Sequence, residues 1–323
     1  MLRRRELFLS AGVLALQPHR VAAQTAWPSK PIRILVPFAA GGLADLLARA
    51  VGPALADAFG QPVVVDNKAG AGGTIGVDAL AKAAPDGHTL GVVPVGNIAV
   101  NPTLFANLPY RAADLAPVAL LGTVENILVV GSDVPARTLK ELIELARRKP
   151  GATSFASPGA GSQAHLAGEL LKARERVFVV HVPYRGIAPA FNDVLGGQVT
   201  MMFAPLSLAL PQVKAGKLRA IGLASARRSA LAPDVPTIAE QGLPDFEALS
   251  WYALMVPAGT AAEVVTRLNA ETVRALGSAD MRARLAAQGM EPGRASPQQL
   301  AATIGVETQR WADVIRRQNL KPD

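Results

Sequence analysis

Hydrophobic and polar positions follow two alternating periods along this chain. Ile32-Arg33-Ile34-Leu35-Val36-Pro37 is a short apolar run closed by Pro and, after Phe38-Ala39-Ala40, by Gly41-Gly42, as expected of a buried strand. From Leu46 the period becomes helical, with Leu47, Val51, Leu55 and Phe59 on one face. A second strand is predicted over Pro62 to Asn67, a glycine-rich loop from Lys68 to Gly76, a helix through Val77 and Leu80, and, after the Pro85-Asp86-Gly87 turn, a strand over Thr89 to Pro94. This part reads βαβαβ. Such an alternation implies a parallel sheet with its ligand loops at the carboxyl ends of the strands, here Phe38 to Asp45 and Val95 to Asn101.

Apolar runs at Val118 to Thr123 and Ile127 to Gly131 and a helix over about Leu139 to Arg148 lead into a second alternation. Strands are predicted at Ser154 to Ser157, Val177 to Tyr184, Val199 to Phe203 and Leu218 to Ala224, with helices at Gln163 to Leu171, Ala188 to Leu195 and Leu206 to Val213 between them. Ser225 to Ser250, rich in Pro and charge, reads as a surface excursion. Trp251 to Val256 is one more strand, and Glu263 to Arg317 is helical with a turn near Gly289 to Gly293. The restart of the pattern predicts two α/β lobes: residues 24–123 with 251–323, and 124–250. The C-terminal helices are expected to return to the first lobe.

Each lobe contains a strand–glycine turn–helix unit. Glycines let a backbone approach a ligand closely, and the first N–H groups of a helix lack intrahelical partners. Phe38, Ala39, Ala40, Gly41 and Gly42 in one lobe, and Ser157, Gly159, Gly161 and Ser162 in the other, could therefore present donors to a carboxylate or phosphate. The same glycines could merely turn a strand into a helix. Ser162 is placed to cap its helix, and Asp45 in a first turn is favoured by the helix dipole, although a ligand ammonium or hydroxyl would suit it too.

Enzyme motifs are weaker. Gly159-Ala160-Gly161-Ser162-Gln163-Ala164 fits the dinucleotide fingerprint, but the acidic residue required about twenty positions later is replaced by Val179-Val180-His181-Val182. Gly70-Ala71-Gly72-Gly73 matches no phosphate-loop pattern, and no Gly-x-Ser-x-Gly or His-Glu-x-x-His occurs. A Ser162–His165 pair could be mistaken for a nucleophile and base; a capping Ser beside a His is the simpler reading. His88, His165 and His181 are not at metal-ligand spacing, so neither metal nor cofactor is expected.

Composition narrows the class. Half of the 323 residues are hydrophobic, 18% are charged, and Gly (29) and Pro (25) are abundant, which excludes a disordered chain and fits many short elements. Arg3-Arg4-Arg5, the apolar stretch from Leu7 to Leu16 and Val21-Ala22-Ala23 form an export signal, cut after about Ala23. Its apolar stretch is too short for a bilayer span, which needs about twenty residues. Both the general and the twin-arginine export routes fit. Removing residues 1–23 lowers the net charge from +8 to +5, a modest excess suited to anionic ligands, and no basic run points to nucleic acid. With no cysteine, the exported chain depends on its core alone.

A series of ordered blocks carries a resemblance. Trp27-Pro28-Ser29-Lys30-Pro31-Ile32, Val36-Pro37-Phe38 with Gly41-Gly42 and Asp45, Val64-Val65-Asp66-Asn67-Lys68 with Gly70 to Gly76, Pro85-Asp86-Gly87-His88-Thr89-Leu90, Asn101-Pro102, Gly161-Ser162 with His165-Leu166-Ala167, His181-Val182-Pro183-Tyr184-Arg185-Gly186, Leu195-Gly196-Gly197-Gln198-Val199, Ala215-Gly216-Lys217-Leu218-Arg219-Ala220, Asp234-Val235-Pro236-Thr237 and Pro257-Ala258-Gly259-Thr260 run in order over nearly the whole exported chain. The pattern resembles the substrate-binding proteins of tripartite tricarboxylate transporters, the Bug family. The resemblance implies a periplasmic solute-binding protein, monomeric and not an enzyme. Its fold would be of the two-lobed type II kind, each lobe a mostly parallel sheet flanked by helices, closing like a flytrap on a small carboxylate for a membrane permease.

Carried over to this chain, the gripping loops are Phe38 to Asp45 and Ser157 to Ser162, with His165, Tyr184 and Ala204 nearby. Departures are Ala40 for a frequent Pro, His88 for a common Tyr, Glu125-Asn126 near a frequent Pro, and Ala204 for an Asp found in some members. Ala204 and Leu43 lean toward a ligand with an apolar or aromatic body. Two rivals are a sensor presenting its ligand to a membrane kinase and, from the motifs above, a hydrolase or dehydrogenase.

Overall fold

The structure is a computed structural model that describes residues 27–184 and 186–320. The export signal and its cleavage position lie outside the described residues. The chain opens as read, with β1 (Ile32–Val36), α1 (Leu43–Phe59), β2 (Val63–Asn67), α2 (Thr74–Ala81) and β3 (Thr89–Pro94), and β1 pairs in parallel with both β2 and β3. Side chains alternate across a strand, so Ile32, Ile34 and Val36 face a core shared with Leu47, Val51 and Leu55 of α1, while Leu35 faces a second core shared with Val77 and Leu80 of α2. After β3 the chain makes a π-turn over Gly96–Val100 and the short helix α3 (Asn101–Leu104). No hydrophobic period marks this segment.

β4 (Leu115–Val124) and β5 (Asn126–Gly131) are separated by Glu125 alone, yet belong to different sheets. Then follow α4 (Leu139–Arg148), β6 (Ser154–Ser157), α5 (Gln163–Glu175), β7 (Val180–Pro183), α6 (Ile187–Leu195), β8 (Met201–Pro205), α7 (Leu206–Lys214) and β9 (Leu218–Leu223). The chain returns to the first sheet in β10 (Ser250–Pro257) and ends with α8 (Ala262–Leu276), α9 (Ala279–Ala287), β11 (Met290–Pro292) and α10 (Pro297–Gln318). Strand order is β11-β4-β10-β3-β1-β2 in one sheet and β7-β6-β8-β5-β9 in the other. The two-lobed α/β architecture is as expected, but both sheets are mixed. In the first, β10 and β11 run against the rest; in the second, β5 does. Each reversal involves a strand at or after a crossover, where no βαβ connection imposes a parallel direction.

The two crossovers are stitched together. The buried Asn126 donates through Nδ2 to Ala248 O at 2.7 Å and Ser250 Oγ at 3.1 Å, while its own carbonyl accepts from Ala224 N–H. The C-terminal helices behave differently from expectation. α8 and α9 return to the first lobe through Leu268, Leu276 and Leu285, but α10 spans both lobes. Its Leu300 lies in a first-lobe core, and Trp311 and Ile315 lie in the core of the second.

Candidate ligand-binding site

The carboxyl ends of β1, β2 and β3 bring three loops together. Phe38 to Gly42 is exposed, and the Phe38 ring packs on Gly73, where a methyl group would sit 3.0 Å from both that ring and the Asn97 amide. Asn97 Nδ2 in turn donates to Gly72 O at 3.0 Å. Asp45 organises the first glycine loop. One carboxylate oxygen accepts from Gly41 N–H and Arg49 Nε, both at 2.9 Å, and the other accepts from Asn67 Nδ2 at 3.0 Å, which also donates to Phe38 O. The bond from Arg49 is the main reason the Asp45 carboxyl is held below the ordinary carboxylate range, against the effect of its burial. Asp45 is therefore an anionic brace inside the loop.

With Gly41 N–H committed to Asp45, the N–H groups of Phe38, Ala39 and Ala40 have no hydrogen-bond partner among the described residues. Gly42 is the N-cap of α1 and has no side chain to cap it. Gly41, at φ +87°, needs glycine for its backbone conformation. Gly42 does not: its φ is −79°, and a methyl group there would approach nothing nearer than Ala39 O at 3.7 Å. Glycine suits the N-cap of a helix, and its missing side chain keeps the α1 terminus open.

The second glycine loop is built to the same plan but closed by its own side chains. Ser162 Oγ accepts from His165 N–H and donates to Gly159 O at 2.6 Å; Gly159 N–H donates to Ser157 Oγ and Gly161 N–H to His165 Nδ1. Ser157 is fully buried, and its hydroxyl lies 2.7 Å from His181 Nε2. His165 stacks on His181 with centroids 4.2 Å apart, and His181 stacks on Phe155. Burial, reinforced by His181 and Lys172, pushes the His165 pKa down to about 3, so a neutral ring accepts at Nδ1. Tyr184 donates its hydroxyl to Asp193 at 2.6 Å, which with burial raises it to about 12. Ala204 is fully buried in the second core, paired with Ile127. In this loop, then, Ser157, Ser162, His165 and Tyr184 hold the chain, and Ala160 N–H alone among the loop's glycine-flanked donors has no partner among the described residues.

What meets this second loop across the lobes is the β3–α3 segment. A methyl on Gly96 would sit 2.7 Å from Gly161 O, and one on Gly161 would sit 2.7 Å from Asn101 Oδ1. Strand order alone predicts the Val95 to Asn101 loop near the site; its direct contact with Gly161 is visible only in the structure. A cavity of about 290 Å³ opens at the other end of β6, lined by Gly131, Val134, Lys149, Thr153 and Thr200. A neighbouring depression is lined by Arg219, whose guanidinium is already occupied by the carbonyls of Ser132, Val134 and Ala136. That end carries no open helix terminus, so the donor chemistry lies with the glycine loops.

A family model described as tripartite tricarboxylate transporter family receptor matches residues 47–320. The chain belongs to this receptor family. Members are periplasmic substrate-binding proteins, so this receptor is a binding protein and not an enzyme. It is 41% identical to BugT of Bordetella pertussis over 314 residues, 97% of this chain and 95% of BugT. Among solved structures it resembles Rpa4515 of R. palustris with adipate, at 34% identity and a TM-score of 0.83, over 92% of this chain and all of that one. MatC of Rhodopseudomonas palustris with bound malate is 35% identical, with a TM-score of 0.80 over 90% of this chain and all of MatC. The receptor's glycine loops keep the strand-to-helix form, while their donors are divided unequally between an open α1 and a capped α5.

Proposed function

We propose that the receptor captures a small organic carboxylate between its lobes and delivers it to the permease of a tripartite transporter. It would act as a monomer in the periplasm after cleavage near Ala23, with lobes formed by residues 24–123 with 251–323 and by 124–250. The observation that carries this reading is the uncapped N-terminus of α1, with free N–H groups at Phe38, Ala39 and Ala40 on a loop braced by Asp45. A helix N-terminus favours an anion through its dipole and its unpaired donors. The glycine at 42, required by neither conformation nor packing, leaves room for a carboxylate to reach them. Gly159, Gly161, Ser157, Ser162, His165 and Tyr184 shape the opposing wall, to which Ala160 N–H adds a donor. Adipate and malate in two relatives are consistent with a carboxylate cargo.

A thermal-shift screen of mono-, di- and tricarboxylates, followed by calorimetry, tests this. A cognate acid at a hundred times its Kd should stabilise by about 2.7 kcal/mol, and its primary amide should not. Gly42→Val should still fold, with a modestly lower melting temperature because valine is a poorer N-cap residue, and lose at least about tenfold in affinity, because its side chain would cover the α1 donors. Equal binding of acid and amide, or undiminished affinity in Gly42→Val, would refute the assignment.

A further inference from the structure

Gln163 is the first residue of α5, immediately after the cap Ser162, and is only 8% exposed. Neither its Oε1 nor its Nε2 has a hydrogen-bond partner. Elsewhere among the described residues a buried side chain lacks a partner at one atom only, as Thr153 does at Oγ1. Leaving a whole primary amide buried and unpaired carries the full desolvation cost of both its donor and its acceptor. The neighbouring side chains are already engaged, the Ser162 hydroxyl by Gly159 O and His165 Nδ1 by Gly161 N–H. A Cα–Cβ bond leans toward the helix N-terminus, which directs the first side chain of α5 toward the glycine loop. There the second lobe meets Gly96 and Asn101 of the first.

We infer that Gln163 is a specificity residue of the carboxylate site and that it selects ligands carrying a hydroxyl beside the carboxylate. This rests on the carboxylate reading above. The amide offers one N–H-bearing atom and one acceptor on a rigid plane. A hydroxycarboxylate meets both, with a carboxylate oxygen accepting from Nε2 and the hydroxyl donating to Oε1. The unsubstituted acid meets only the donor and leaves Oε1 buried and unpaired, a mismatch that sites built around a hydroxyl discriminate against. An amino acid would also donate to Oε1, but its ammonium would need a carboxylate partner. Asp45 is held by Gly41 N–H, Arg49 and Asn67, and Asp193 by the Tyr184 hydroxyl.

Calorimetry with matched pairs tests the inference: succinate against malate, tricarballylate against citrate, and phenylacetate against mandelate. In the pair that fits the cleft, the wild-type receptor should bind the hydroxy acid about tenfold more tightly or better, the worth of one buried hydrogen bond. Gln163→Met, of similar size and without the amide, should bring that ratio close to one while retaining the unsubstituted acid. A wild-type ratio near one overturns the inference and leaves carboxylate binding standing, and needs no variant that might misfold. A ratio unchanged in Gln163→Met also overturns it. Failure of every acid to bind the wild-type protein removes the carboxylate reading and this inference together.

Discussion

Asp45 and His165 occupy equivalent first-turn positions and are both nearly enclosed, but they brace their loops with opposite protonation chemistry. Asp45 is an anion stabilised by Arg49; His165 is a neutral acceptor stabilised by burial. For His165 the folded pKa of about 3 lies below the unfolded value of 6.5. Well above pH 6.5 both states are neutral and nothing changes. As pH falls below 6.5 the unfolded chain takes up a proton that the folded one refuses, so folding stability declines. Between pH 6.5 and pH 5 this amounts to about 1.7 kcal/mol for one such ring. Urea denaturation at the two pH values should show that loss in the wild type and a loss smaller by about 1.7 kcal/mol in His165→Gln, which does not titrate. An equal decline in both proteins would show that His165 is not the buried proton-refusing group. Most of this was hidden in the sequence: Ser162 was legible as a cap, whereas the His165–Gly161 bond and the ring stack on His181 depend on β6 and β7 lying side by side.

The helix α10 is the element whose role departs most from expectation. Its long helical pattern was plain, and its capping box at Ser296 and Gln299 fits its start. Its destination was not plain, because an apolar stripe does not name the surface it will meet. One end of the stripe enters a first-lobe core at Leu300, and the other enters the second-lobe core at the fully buried Trp311, next to Arg310, whose guanidinium reaches Glu247 O beside the returning crossover. Trp311→Ala should cost about 3–5 kcal/mol, the range for emptying an aromatic core position. Because α10 joins both cores, the wild type should unfold in one cooperative transition when followed by circular dichroism and by tryptophan fluorescence. Two separated wild-type transitions, or a cost under about 1 kcal/mol, would show that α10 does not couple the lobes.

At the scale of the whole molecule, the lobes are joined at the crossovers by Asn126, tied along one side by α10, and in contact at Gly96 and Gly161. A ligand shifts such an assembly only by its differential affinity for the arrangement in which both glycine loops reach it. Two or three charge-assisted hydrogen bonds of roughly 1.5–3 kcal/mol each are enough to favour that arrangement. A cognate carboxylate should reduce the radius of gyration in solution scattering, and its methyl ester should do so weakly or not at all. Gly96→Ala places a methyl 2.7 Å from Gly161 O, so it should hold the lobes apart, enlarge the free protein and weaken binding while each lobe stays folded. Equal compaction by acid and ester, or a Gly96→Ala protein indistinguishable from wild type, would remove closure through this contact.

The sequence by itself determined most strands, though not β11 where a turn was expected, most helices, the restart of the α/β pattern and both glycine turns. Each of these depends on local periodicity, capping or the backbone freedom of a residue such as Gly41, and such signals survive without neighbours. The ordered blocks carried the family as well. Tertiary structure alone decided which glycine-loop donors stay open. Gly41, Gly159 and Gly161 look alike in the chain, yet their N–H groups are taken by Asp45, Ser157 and His165, whereas Gly42 remains uncapped. It likewise decided the reversed strands, the span of α10 and the unpaired amide of Gln163. A hydrogen-bond partner is a matter of where two groups lie in space, and no spacing along the chain encodes a contact made between separate loops or between separate lobes.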